Sequence, residues 1–442
     1  MVPPVASLLF SSFLEAFRPC FTAPSYRHFH AFVSNFWLGS GRRTVTAVCR
    51  QALGQRHFSC SHRFLKTYRW SRERVARCLA LFTLRVFRLA PGPEGKCTVN
   101  LVLDDTLTRH FGRKMEGVAR QYDAMAPNPQ APLARGRCWV MLGLLRKGTD
   151  RWRCVPWAAW LFWPEKALGA PAQHETKLEL AMRRLAELKL PHWLQLRLIA
   201  DSAYGKSTVV QACSNWGWKL VSRLASNSVV YEPAPKPAPR RGQRGRPKKY
   251  GEKHALSHFG AQARQASVRE MQLYGRPAAV RYHAEEVLSR CLDGVRILLV
   301  AVVFENVQGE LSKPIYLFST DLTLSAEEVI ELYSARFAIE VTFRELKNLF
   351  GLGHCQARRA RAAESHVQLC IVAHAWSQIQ SILYAPVGSA TPWRAAPLVA
   401  STGQLQADAR REITMWFRPD ELLVRRYPAS AWASPNPAQV GR

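Results

Sequence analysis

Acidic residues, closely spaced cysteines and long apolar runs are all scarce in this sequence. It carries 62 Lys and Arg against 32 Asp and Glu in 442 residues, a formal net charge of +30. An excess of this size disfavours a cationic partner and favours a polyanion, with nucleic acid ahead of an anionic membrane. No stretch reaches the ~18 apolar residues that cross a bilayer. We therefore expect a soluble intracellular protein with no membrane association.

The 11 cysteines include no Cys-x-x-Cys pair. This spacing excludes the usual zinc motifs and gives no disulfide framework, so a reducing cytosol is expected. Hydrophobic residues nevertheless make up 48% of the chain, which is enough for a substantial core. We predict a folded body with a basic groove.

The N-terminal part, 1–95, has helical periodicity around a basic patch at 41–70. It predicts either a helix-turn-helix-like DNA reader or a plain helical bundle. From 97 onward short β-type runs alternate with helical segments, which predicts an α/β fold. A Pro-rich, basic segment at 231–254 interrupts this alternation and predicts a linker. The last ~55 residues contain Pro and Ala and are weakly periodic.

Two predicted strands end in acids. The run CTVNLVLDDT ends at Asp104 and Asp105, and LQLRLIADSAYG contains Asp201. Ligand sites of α/β sheets form at the carboxyl ends of strands, so these acids are candidate site residues. Alternation along the strand cannot choose between Asp104 and Asp105.

The segment after the last predicted strand is predicted to be one helix, 326–350. Ser325 and Glu328 form a capping box, the interior has no Gly or Pro, and Gly351 is a natural end. At about 100° per residue, one arc of about 80° holds a set of polar side chains. They are Tyr333, Arg336, Glu340, Arg344 and Lys347.

This polar stripe has two interpretations. It is either a solvated face with i,i+4 ion pairs or the third side of a site shared with Asp104 and Asp201. Three gathered carboxylates raise one another's pKa and need a cation. Mg²⁺ suits them, because it prefers oxygen ligands and assists phosphoryl displacement, and we expect Mn²⁺ to substitute. Glu345 is a rival for Glu340, but it lies about 120° from the stripe.

The spacing Y-x2-R-x3-E-x6-K of Tyr333, Arg336, Glu340 and Lys347 resembles the signature of DDE transposases, specifically the bacterial insertion-sequence family usually numbered four and its relatives. The blocks DDT at 104–106 and DSAY at 201–204 are similar to the family's first and second acid blocks. VARQYD at 118–123 is similar to the segment that follows the first acid.

The resemblance implies a ribonuclease-H-like core in which Asp104, Asp201 and Glu340 are catalytic and bind Mg²⁺. Tyr333, Arg336 and Lys347 would contact element-end DNA, with Arg344 on the same stripe. It also implies cleavage at the ends of an insertion sequence and 3′-OH strand transfer into double-stranded target DNA. The expected assembly is a homodimer in a synaptic complex, in the bacterial cytoplasm at the nucleoid.

We accordingly divide the chain into four parts. These are a helical N-terminal domain (1–95), a ribonuclease-H-like catalytic domain (96–224 and 322–385), a β-rich insertion (225–321) and a C-terminal tail (386–442). Two alternatives stay open: a catalytically inactive or domesticated DNA-binding protein on the same scaffold, and a structure-specific nuclease without strand transfer.

Two further basic features are candidates for DNA binding. Arg244 and Arg246 lie in an Arg-Gly-Arg-Pro run that resembles an AT-hook, which binds the narrow minor groove. We favour the simpler interpretation, a basic linker that binds DNA loosely. Arg223 follows the strand after the second acid and is a candidate phosphate ligand.

Overall fold

The computed structural model describes residues 5–51, 58–123, 130, 132–234, 248–384 and 399–416. Helices and strands alternate through its middle, and this confirms the predicted α/β class. The α-helices of these residues are α1 (Val5–Glu15), α2 (Ala23–Leu38), α3 (Val45–Gln51), α4 (Phe58–Lys66), α5 (Arg72–Val86), α6 (Lys177–Ala186), α7 (Ser207–Asn215), α8 (Leu256–Gln265), α9 (Ala326–Ala335), α10 (Phe337–Asn348), α11 (Ala360–Tyr384) and α12 (Thr402–Trp416).

A single mixed sheet runs through the molecule in the order β2-β3-β1-β5-β6-β12-β11-β10-β7-β8, with β4 beside β3 and β9 beside β10. Its strands are β1 (Cys97–Arg109), β2 (Ala119–Tyr122), β3 (Leu133–Lys147), β4 (Trp152–Phe162), β5 (Leu194–Ala200), β6 (Lys219–Arg223), β7 (Val229–Pro233), β8 (Tyr250–Ala255), β9 (Arg269–Leu273), β10 (Arg276–Ser289), β11 (Val295–Glu305) and β12 (Ile315–Ser319).

Parallel pairing joins β1 to β5 and β5 to β6, while the other pairs are antiparallel. The central strands are apolar on both faces, as expected for strands covered by helices on either side. Because Leu103 pairs with Ala200, Asp104 and Asp201 lie side by side, although β1 continues past Asp104 to Arg109 and β5 ends just before Asp201. The parallel register therefore positions the two acids together.

The segment 225–321 continues this sheet, because β12 pairs with β6 and the remaining strands extend from β12. Within this segment β9 and β10 form a hairpin. The connection is the pair Tyr274 and Gly275, both at positive φ, +55° and +77°. Two residues at positive φ are typical of a type I′ turn, which matches the twist of the flanking strands.

The prediction of one unbroken helix over 326–350 is wrong. The capping box of Ser325 and Glu328 is present, but α9 ends at Ala335 and α10 begins at Phe337. At the junction, the Arg336 N–H donates to the Tyr333 carbonyl and the Ile339 N–H to the Arg336 carbonyl. These i→i−3 bonds tighten one turn without any Gly or Pro, so no local sequence signal marked the break.

The buried helix α11 forms the centre of the helical part. It packs against β4 and against α2, α4 and α5 of the N-terminal region. Trp376 of α11 lies 5.1 Å from Phe13, 5.7 Å from Phe10 and 6.1 Å from Trp37, measured between ring centroids. The N-terminal helices thus share one aromatic core with a helix near the other end of the chain.

The weakly periodic C-terminal tail contains one helix among its described residues, α12. It covers Thr402–Trp416 and contacts α1, α2 and α11. None of the helices in the described part of the chain has the length and apolar character that a membrane crossing requires.

Candidate active site

Asp104 lies at the centre of the site, on β1 in the middle of the sheet. Its carboxylate is buried and its Oδ1 accepts the N–H of Asp105 at 2.8 Å. Asp201 follows β5 directly, where its Oδ1 accepts the Ala203 N–H at 3.0 Å. The Ser222 hydroxyl donates to the Asp201 carbonyl at 2.8 Å and fixes the strand end against β6.

Arg336 joins Asp104 to Glu340. Its Nη1 lies 2.7 Å from Asp104 Oδ2, and its Nη2 lies 2.5 Å from Glu340 Oε1. Arg336 is largely buried, with 17% of its side chain exposed, and its position at the α9–α10 junction directs it towards β1. One guanidinium therefore neutralises two of the predicted carboxylates at once.

The charges at the site are out of balance despite this pairing. Burial raises the pKa of Asp104 to about 7, and the neighbouring Asp201 carboxylate adds to the rise while Arg336 opposes it. Burial also raises the pKa of Asp201, against the opposing effects of the Ala203 N–H and Arg336. The site holds more negative charge than its one guanidinium compensates, which is the condition under which carboxylates take up a cation.

Asp105 belongs to a different set of contacts. Its Oδ2 accepts the Lys177 ammonium at 2.6 Å and the Cys138 thiol at 3.2 Å. Lys177 is the first residue of α6, which begins with the capping box of Thr176 and Glu179. This pairing leaves Asp104 as the acid that meets Arg336 and Glu340, and so chooses between the two strand residues.

Tyrosines surround the carboxylates. Tyr204, in the DSAY block, is buried, and its hydroxyl has no hydrogen-bond partner among the described residues. The ring of Tyr333 lies 5.9 Å from the Arg336 guanidinium carbon. Tyr274, at the tip of the β9–β10 hairpin, packs edge-on against the exposed Phe337 with ring centroids 5.8 Å apart.

The basic residues predicted to hold DNA are only partly gathered. Arg223, at the end of β6, lies close enough to Tyr333 and Tyr274 to lower the pKa of both phenols, although burial raises these pKa values overall. Arg344 is exposed on α10. Lys347 is half-buried near Asp123 and Arg109, and burial lowers its pKa.

Arg244 and Arg246 lie outside the described residues.

Glu345, the rival of Glu340, lies in the interior. Its Oε2 accepts from His374 Nε2 at 2.8 Å and from the Gln378 amide at 2.9 Å. This buried network connects α10 to α11 and lowers the pKa of Glu345 despite its burial. Glu345 therefore supports the helix that carries Glu340 and does not face Asp104.

A second group of potential metal ligands lies on β7 and β8. Among the described residues, Glu232, Glu252 and His254 are the three whose ligand atoms all lie within 4.8 Å of one another. Asp104, Asp201 and Glu340 do not meet that criterion together, and Arg336 stands between two of them. The carboxylate oxygens of the predicted triad nevertheless suit a hard divalent cation. Asp104 and Glu340 already converge on one positive group.

Sequence reasoning missed Lys177 and Tyr274. Lys177 has no motif around it beyond a helix start, and it reaches Asp105 only because α6 packs beside β4 and β3 lies between β4 and β1. Tyr274 gives no turn signal in the sequence, because the pairs that favour a two-residue type I′ turn are Asn-Gly, Asp-Gly and Gly-Gly.

A family model described as "DDE superfamily endonuclease" matches residues 16–290, more than half of the chain. The match includes Asp104 and Asp201 and ends before Glu340. No curated protein matches the chain.

Proposed function

Because the chain belongs to the DDE superfamily of endonucleases, we propose that it is a DNA transposase of the insertion-sequence family usually numbered four or a close relative. It would cut DNA at the ends of its element and join the freed 3′-OH to target DNA. The observation that carries the proposal is the convergence of Asp104 and Glu340 on one buried cation, with Asp201 at the end of the adjacent parallel strand.

The strand order supports a ribonuclease-H-like core. The run β4-β3-β1-β5-β6 has an antiparallel half and a parallel half, with the first acid on β1 and the second directly after β5. We assign 96–224 and 322–385 to this catalytic domain. The helical domain is then 1–95, the insertion 225–321 and the tail 386–442.

DDE endonucleases generally use divalent metals, and in this chain Asp104, Asp201 and Glu340 would hold Mg²⁺, or Mn²⁺ in its place. The bound metal supplies an activated water and stabilises charge on the reacting phosphate. Arg336 holds Asp104 and Glu340 in position, and the Ala203 N–H does the same for Asp201. Lys177 keeps Asp105 paired and away from the site.

Double-stranded DNA is the proposed substrate, since DDE endonucleases act on nucleic acid and the chain carries a net charge of +30. Phosphate contacts position such a protein on DNA, and they come from basic and phenolic side chains. We assign this role to Tyr333, Arg336, Arg344, Lys347 and Arg223. Arg244 and Arg246 are proposed to make looser contacts with DNA. The proposed active assembly is a homodimer that holds two element ends at the bacterial nucleoid.

The test is cleavage of a duplex that carries the element's own end sequence, with Mg²⁺. Glu340→Gln removes one ligand charge and keeps the shape of the side chain. The matched control is Glu331→Gln, the same change on α9, where the carboxylate accepts from Lys147 and Trp152 instead. Wild type and the control should cut at the element boundary, and Glu340→Gln should lose at least about 10²-fold in rate.

The products decide between the alternatives. Joining of the new 3′ ends to target DNA supports transposition, while cutting without joining supports a structure-specific nuclease. Specific binding with no cutting by wild type would reject the enzyme and support a DNA-binding protein on this scaffold. Equal cutting by Glu340→Gln and its control would refute the proposed triad.

A further inference from the structure

The guanidinium of Arg336 has donors for more than the two carboxylates that it meets. Nη1 donates to Asp104 and Nη2 to Glu340, while Nε is buried and has no hydrogen-bond partner among the described residues. An unsatisfied buried donor is costly, and an added acceptor such as a phosphate oxygen would relieve that cost. Arg336 can therefore bind either the carboxylates inside the site or a phosphate from outside it.

A divalent cation and this guanidinium need the same oxygens. Asp104 Oδ2 and Glu340 Oε1 accept from Arg336 at 2.7 and 2.5 Å, which are distances of direct contact. Mg²⁺ binds carboxylate oxygens at about 2.0–2.1 Å, so it cannot share them with a guanidinium in the present position without strong like-charge repulsion. The other oxygen of Asp104 already accepts the Asp105 N–H, so a metal that binds Asp104 Oδ2 or Glu340 Oε1 must displace Arg336 from that oxygen.

Arg336 has other conformations available to it. The residue lies at the tightened junction between α9 and α10, and its long side chain has further staggered rotamers besides the present one. The Tyr333 ring lies 5.9 Å from the guanidinium carbon on the same side of the site, and an aromatic face is a suitable resting place for a guanidinium.

We propose that Arg336 is an internal competitor of the divalent cation, which occupies the oxygens of Asp104 and Glu340 in the free protein and is drawn away by a DNA phosphate. The proposal rests on the function proposed above and adds its regulation. Metal and DNA then bind cooperatively, and by linkage each raises the affinity of the other by the same factor. The site then binds the metal when DNA is present, and its carboxylates stay paired with Arg336 when DNA is absent.

The experiment measures Mn²⁺ affinity of the full chain by the electron paramagnetic resonance of free Mn²⁺. The DNA is a duplex that ends at the already cut element boundary in a 3′-dideoxy nucleotide, so that no strand transfer takes place. All proteins carry Glu252→Gln, which removes one ligand of the second group on β7 and β8. Wild type should bind Mn²⁺ at least about fivefold more tightly with the duplex than without it.

Arg336→Met keeps much of the side-chain length and removes the charge. In the absence of DNA it should bind Mn²⁺ at least about tenfold more tightly than wild type, and the duplex should change its affinity less than about twofold. Arg336→Lys, which can meet one carboxylate but not both, should fall between the two. An unchanged or weaker Mn²⁺ affinity of Arg336→Met would overturn the proposal, as would a wild-type affinity that ignores the duplex.

Glu340→Gln separates a failure of the proposed metal site from a failure of the proposed competition by Arg336. If Mn²⁺ affinity does not depend on Glu340, the proposed metal site itself is wrong. If it does depend on Glu340 while Arg336→Met fails to raise it, the site is right and the competition is wrong. The wild-type titration with and without DNA needs no substituted site residue, so a Mn²⁺ affinity that the duplex does not change overturns the proposal even where a variant does not fold.

Discussion

The raised pKa of Asp104 predicts that stability depends on pH in a direction opposite to the usual one for a carboxylate. The folded-state pKa is about 7, while the ordinary value is 3.8. At a pH between these two pKa values, the Asp104 carboxyl is deprotonated in the unfolded chain and protonated in the folded chain. The contribution of Asp104 is therefore favourable at low pH and is lost as the pH rises towards 7.

The size of the effect follows from the same two values. Each pH unit between them costs about 1.4 kcal/mol. From pH 5 to pH 8 wild type should lose about 3 kcal/mol relative to Asp104→Asn, whose neutral side chain has no proton to lose. Since both proteins share their other titrating groups, the difference between them reports Asp104 together with the two groups coupled to its charge, Asp201 and Arg336.

Urea unfolding at pH 5, 6, 7 and 8 measures this difference, with EDTA present to keep metal off the site. The stability of Asp104→Asn relative to wild type should rise by about 3 kcal/mol between pH 5 and pH 8. Asp408→Asn, an exposed carboxylate on α12, is the control and should track wild type. A constant difference between wild type and Asp104→Asn from pH 5 to 8 would refute the reasoning.

Three further predictions concern the supports of the site. Glu345→Ala should lower the free energy of urea unfolding by roughly 3–5 kcal/mol, because it strands the buried imidazole that it pairs with on α11; a loss below ~1 kcal/mol would contradict this. Lys177→Met should slow cutting of the element end roughly tenfold, because the negative charge of Asp105 is left without its ion-pair partner. Adding Asp105→Asn should restore most of the rate. A double variant as slow as Lys177→Met would show that the pair does not act together. Gly275→Val should cost about 1–2 kcal/mol of stability, because a β-branched residue is strained at φ +77°; unchanged thermal unfolding would show that the turn adapts.

Local patterns predicted the strands that carry the acids and the helix start at Ser325. These features depend on residues close together in sequence: alternating apolar residues, a capping box, a glycine after a helix. The parallel register that sets Asp104 beside Asp201 is not implied by these patterns, because β2, β3, β4 and α6 separate β1 from β5 along the chain.

The remaining features depend on tertiary contacts. The helix break at Arg336 contains no Gly or Pro, so no local pattern marks it. Arg336, the residue at this junction, is also the one whose side chain contacts Asp104 and Glu340. Lys177 reaches Asp105 across 72 residues of sequence, a pairing that no local pattern encodes. Helix α12 was missed because the weak periodicity of its sequence gave no sign of its packing on α1, α2 and α11.

The aromatic core shared by the N-terminal helices and α11 has a consequence for how the chain is made. At about 5–20 residues per second, a ribosome needs roughly 20–70 s to pass from Trp37 to Trp376. During that time the rings of Phe10 and Phe13 lack the partner that covers them in the finished protein. The first helices to emerge are thus among the last to be packed, and a chain that stops before α11 presents their apolar faces to water.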